Sequence, residues 1–154
     1  MSQQTDSRPV IPDPDTQGPV DYGHNVTFEW IEDGRIAVFS LKDTSRTSVD
    51  AFFMVNLAFA EQNRGKTIYI FNDAMSPNIA LTQYFRQKLT KLAEVFEEFD
   101  ITAVIASVIQ PGLFSTIAKL FSNFLSKSAP RSTQRFFNDY DEALNWLKTH
   151  LPEA

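Results

Sequence analysis

Two short runs rich in β-branched and aromatic residues, Val26-Thr27-Phe28-Glu29-Trp30-Ile31 and Arg35-Ile36-Ala37-Val38-Phe39-Ser40-Leu41, flank Asp33-Gly34. An Asp-Gly between two such runs predicts a β-hairpin. The polar stretch 42–48 leads into a helix with Thr47 as expected N-cap, Asp50 three residues on, and an end near Gly65. Its expected core face carries Val49, Phe52, Phe53, Leu57 and Ala60, with Met54, Val55 and Ala58 pointing elsewhere. Asn56 falls inside that face, where burial would demand a hydrogen-bond partner. Thr67-Ile68-Tyr69-Ile70-Phe71 reads as a strand, and Ser76-Pro77 as the opening of the next helix: serine as cap, proline in the first turn. Leu81, Phe85, Leu89, Leu92, Phe96 and Phe99 recur at spacings of three and four, one apolar stripe along that helix.

Ala103-Val104-Ile105-Ala106-Ser107-Val108-Ile109 is nearly all apolar, as suits a parallel strand covered on both faces. Pro111-Gly112 precedes a helix over 113–125, and Thr133-Gln134-Arg135-Phe136-Phe137 is a last strand. Asp139, with Glu142 three residues later, forms a capping box for a final helix through Ala143, Leu144, Trp146 and Leu147. The order β-β-α-β-α-β-α-β-α predicts an α/β fold: a mostly parallel mixed sheet that begins with a β-hairpin, with right-handed crossovers.

Residues 1–24 read differently. Pro9, Pro12, Pro14 and Pro19 stand among Gln, Ser and Asp, a composition expected to form a disordered acidic, Pro-rich tail ahead of one domain over 25–154. The net charge of −5 is unevenly spread: residues 1–34 sum to −6 and the rest to +1. Residues 111–135 carry Lys119, Lys127, Arg131 and Arg135 without an acid. Lys119, Lys127 and Arg131 are thus candidate contacts for a lipid or other anion, although the patch is sparse for nucleic acid, and none is expected as a partner. The first residues lack the basic start and apolar core of a signal peptide and no apolar run reaches membrane-spanning length, so a cytoplasmic location is expected.

The catalytic inventory is thin. The chain has no cysteine, two histidines (His24 and His150) and five glycines, none arranged as a phosphate loop, dinucleotide fingerprint or nucleophile elbow. Neither an enzymatic reaction nor a cofactor or metal is expected. Ligands of open α/β sheets gather at the carboxyl ends of strands. Here those ends hold Asp43 and Ser45, then Asp73 and Ser76, then Gln110-Pro111-Gly112. Asp43, Ser45, Asp73 and Ser76 form the candidate regulatory or partner-binding loops, and Ser76 at a helix N-terminus would favour a phosphate. The helix over 113–125 has a wide Phe/Leu arc, read first as core and otherwise as a partner, dimer or membrane-facing surface.

The segment Arg135-Phe136-Phe137-Asn138-Asp139-Tyr140-Asp141-Glu142-Ala143-Leu144-Asn145-Trp146-Leu147 is similar to the last strand and helix of STAS (SpoIIAA-like, anti-sigma-factor-antagonist-like) domains of bacterial regulation. With the element order, the resemblance covers roughly 26–151. It implies a SpoIIAA/STAS-like fold and a non-enzymatic, protein-interaction role with a regulator, a kinase or a second copy as partner. It also implies a phosphorylation switch that falls on Ser76, although the family's Asp-Ser-Ser/Thr-Gly turn is replaced here by Asp73-Ala74-Met75-Ser76-Pro77-Asn78. Relatives of this shape that resemble lipid-transfer domains extend the expectation to a small apolar ligand, or an anionic lipid surface, held by the 113–125 helix.

Overall fold

The computed structural model describes residues 8–113, 116–117 and 131–153. Its elements are β1 (Val20–Asp21), β2 (Val26–Ile31), β3 (Ile36–Leu41), α1 (Arg46–Gln62), β4 (Thr67–Ala74), α2 (Gln83–Glu98), β5 (Thr102–Ile109), β6 (Thr133–Phe137) and α3 (Tyr140–Lys148). Residues 111–113 and 116–117 are also helical. The other residues of the helix expected over 113–125, Lys119 among them, lie outside the described residues, and so does Lys127.

The strands form one six-stranded mixed sheet in sequence order, β1 to β6. β1, β2 and β3 are antiparallel neighbours, and β3, β4, β5 and β6 run parallel. Period two along each strand divides the side chains between two cores. Phe28, Phe39, Ile70 and Ile105 pack with α1 and α2, whereas Ile36, Phe71, Ala106, Val108 and Phe137 pack with Ala143 and Leu147 of α3. β4 and β5 are sandwiched between both layers, which is why the 103–109 run carries almost no polar side chain.

The hairpin pairs Ile31 with Ile36, so four residues turn the chain. Glu32, Asp33 and Gly34 all have positive φ, at 52°, 58° and 76°. Gly34 is required twice over, because a Cβ there would also lie 2.6 Å from Pro14.

That contact belongs to a segment expected to be disordered. From Arg8 to His24 the chain lies against the sheet instead. Ile11 is buried, β1 adds an edge strand to β2, the Trp30 indole Nε1 donates to the Pro12 carbonyl at 2.8 Å, and the Tyr22 hydroxyl donates to the Val10 carbonyl at 2.6 Å. Arg8 pairs with Glu61 at 2.7 Å. The prolines that suggested disorder also limit the entropy lost on ordering, so one buried isoleucine and a few hydrogen bonds hold the strap in place.

Two helix starts also differ from expectation. Ser45, rather than Thr47, caps α1, its Oγ accepting from the Ser48 amide at 3.3 Å. The buried face of α1 runs through Val49, Phe52, Val55, Asn56 and Phe59, leaving Phe53 and Leu57 half-buried. α2 begins at Gln83 rather than beside Ser76, because β4 keeps its parallel pairing with β5 as far as Ala74–Ile109 and a loop follows. Thr82 is the cap, its Oγ1 accepting from the Phe85 amide at 3.0 Å. Thr82→Ala should therefore destabilise by about 1 kcal/mol in urea denaturation, while Ser76→Ala stays within about 0.5 kcal/mol. Equal losses would place the helix start wrongly. The Asp139 cap holds as expected, its Oδ1 accepting from the Glu142 amide at 3.0 Å.

Candidate functional site

Between the sheet and the α1–α2 pair lies a cavity of about 110 Å³. Its walls are set by inward positions of successive strands: Phe39 and Leu41 from β3, Ile70 from β4, Ile105 and Ile109 from β5, Phe136 from β6. Phe52 from α1 and Phe85, Leu89 and Leu92 from α2 close the opposite side, and Ile79 and Leu81 reach in from the loop before α2. Ile117, from the connection before β6, is buried with Ile109 and Phe136. This lining is overwhelmingly aliphatic and aromatic.

One strip of it is polar. Asn72 on β4 is the register partner of Ser107 on β5, and both side chains fall on the cavity side, two residues beyond Ile70 and Ile105. Gln134 on β6 completes the row. The Asn72 Nδ2 and the Gln134 Nε2 both donate to the Ser107 Oγ, at 3.3 and 3.0 Å. The Asn72 Oδ1 is buried and has no partner among the described residues. Asn56, also on the wall, has its demand met within its own helix, Nδ2 donating to the Phe52 carbonyl at 2.9 Å. Sequence reasoning singled out Asn56 but passed over Ser107 and Gln134. The available signal was a lone hydroxyl in the apolar 103–109 run and a glutamine two residues before Phe136.

The loops at the strand carboxyl ends are clasped together. Thr44 Oγ1 accepts from the Ala80 amide at 3.0 Å, and Gln110 donates to the Met75 carbonyl. Asp43 accepts from the Ser45 hydroxyl at 2.9 Å, from the Ser45 amide at 3.0 Å and from Asn25 at 2.8 Å. Hydrogen bonds from the Ser48 hydroxyl and from Ser45 hold the Asp43 carboxyl below the usual carboxylate range. This pair is thus occupied in building the start of α1. Asp73 turns toward α3, where the Tyr140 hydroxyl donates to it at 2.7 Å; burial, then this carboxylate, push the Tyr140 phenol up to about 12. Ser76 is half-buried and its Oγ accepts from the Asn78 amide at 3.2 Å, a turn contact rather than a helix cap. No direct bond joins Asp43 or Ser45 to Asp73 or Ser76 among the described residues.

Of the three cations expected to meet a lipid or anion, Arg131 is described, and its charge is already answered. It bonds the Glu97 carboxylate at 3.1 Å and the Asp100 carboxylate at 3.2 Å, and these bonds raise its pKa. Among the described residues, no group of three or more His, Asp or Glu is placed to hold a metal, and no helix is long and apolar enough to cross a membrane. No family model, curated protein or solved structure matches the chain.

Proposed function

We propose that this protein is a non-enzymatic, STAS-like regulatory module that takes a small, predominantly apolar molecule into the cavity between its sheet and α1–α2. The carrying observation is the cavity itself: about 110 Å³, walled by aliphatic and aromatic side chains. That is the same order as the roughly 150 Å³ apolar cavities that stay dry and take up benzene. Ile79 and Leu81 connect the cavity to the loop that carries Ser76, so occupancy would be felt at the carboxyl-end loops where a protein partner is expected. Because α2 starts at Gln83 with Thr82 as its cap, Ser76 is not at the start of that helix, and a small ligand is a better-supported input to this module than phosphorylation.

Toluene is a suitable probe. At ten times its dissociation constant it should stabilise the fold by about 1.4 kcal/mol, raising the melting temperature by about 3–6 °C. NMR titration should place the shifts at Ile79, Ile105 and Phe85. Unchanged melting, or shifts confined to the surface, would remove the proposal.

A further inference from the structure

We infer that the cavity selects a small neutral molecule with an apolar body and one hydroxyl group, read by Asn72 and Ser107. This rests on the cavity being a binding site and adds what it recognises. The Ser107 Oγ accepts two N–H bonds, from Asn72 and Gln134, so its own proton is left without an acceptor among the described residues. The Asn72 Oδ1 beside it is a buried acceptor without a donor among the described residues. One donor and one acceptor therefore stand side by side on adjacent strands at the wall of an apolar space. Such groups are costly to bury unmatched.

A ligand hydroxyl matches both, donating to Asn72 and accepting from Ser107. It also matches the alternative arrangement. With the Asn72 amide turned over, Ser107 donates to Oδ1 and the Asn72 –NH2 is left, which a hydroxyl oxygen accepts. An anionic head group has no such fit. Among the described residues the lining includes no Lys, Arg or His, and the Asp73 carboxylate is turned to Tyr140 on the other side of the sheet. A carboxylate or phosphate would enter without a counter-charge, at high desolvation cost.

Phenol and toluene, equal in shape and differing by hydroxyl against methyl, separate the two claims. Each is titrated by NMR against the wild type, Asn72→Leu and Ser107→Ala. Asn72→Leu removes an unmatched buried group, so the fold should hold; Ser107→Ala provides a second route should it not. Phenol affinity should fall about tenfold in each variant, the worth of one well-made hydrogen bond, while toluene changes less than about twofold. Toluene binding with phenol indifferent to both substitutions, or both probes weakened alike, overturns hydroxyl recognition and leaves the cavity reading standing. Failure of both probes to bind the wild type overturns the two together.

Discussion

Phe39→Ala should lower the unfolding free energy by about 3–5 kcal/mol, a large part of the roughly 5–15 kcal/mol that separates a typical domain from its unfolded state. Phe39 is fully buried on β3, the strand at which the antiparallel hairpin joins the parallel half of the sheet. Its ring meets Phe28 and Phe59 edge-to-face, with centroids 5.1 and 5.4 Å apart, and Phe52 at 6.3 Å. The contacts join two other elements to the same ring: β2 through Phe28, and α1 at two of its turns through Phe52 and Phe59. Truncation removes the shared surface of all three at once, and the edge-to-face geometry adds to the loss from burial alone. Because Phe39 also lines the cavity, the void it leaves would extend that space, and toluene should restore more stability to the variant than to the wild type. A loss under about 1.5 kcal/mol in urea denaturation would mean that the neighbouring rings collapse to fill the space, and that this aromatic cluster is not the keystone of the fold.

Deleting residues 1–22 should cost about 3 kcal/mol and lower the melting temperature by about 6–12 °C. Burial of a side chain such as Ile11 contributes about 1.5–3 kcal/mol. The deletion also takes away β1, the Tyr22 contact, and the carbonyl that receives the Trp30 indole N–H. A hydrogen bond of that kind is worth about 0.5–1.5 kcal/mol. Trp30 offers a direct readout, since removing the strap uncovers an indole that now packs against the core, and its emission should move to longer wavelength. Ile11→Ala within the full chain should reproduce about 2 kcal/mol or more of the loss. A deletion variant that melts with the intact chain would restore the reading of residues 8–24 as an independent tail.

Several elements were legible because their signals are local. The hairpin pairs 26–31 with 36–41, the apolar run becomes β5, and Asp139 caps the last helix through the amide of Glu142. Ser76 shows where such signals fail. Ser-Pro is ordinary grammar for a helix start, and so is Thr82-Gln83; which one serves depends on how far β4 stays paired with β5. Likewise α1 has apolar residues nearly all round, so the sequence cannot rank Val55 against Leu57; packing against the sheet and α2 does. The strap was misread for a related reason. Its composition signals disorder, but its contacts are made with residues outside it: Phe28, Trp30, and Glu61, which lies 53 residues from Arg8.

The amino-acid order by itself determined the alternation of strands and helices, the mixed α/β character of the sheet and the scarcity of reactive side chains. Periodicity, turn residues and residue chemistry are properties of short stretches, and no partner is needed to read them. Only the tertiary structure decided that Asn72, Ser107 and Gln134 stand in one row along a cavity wall, and that Arg131 answers Glu97 and Asp100. These groups lie some 27–35 residues apart along the chain. Strand register and helix docking, which are global minima of packing, bring them within hydrogen-bonding distance.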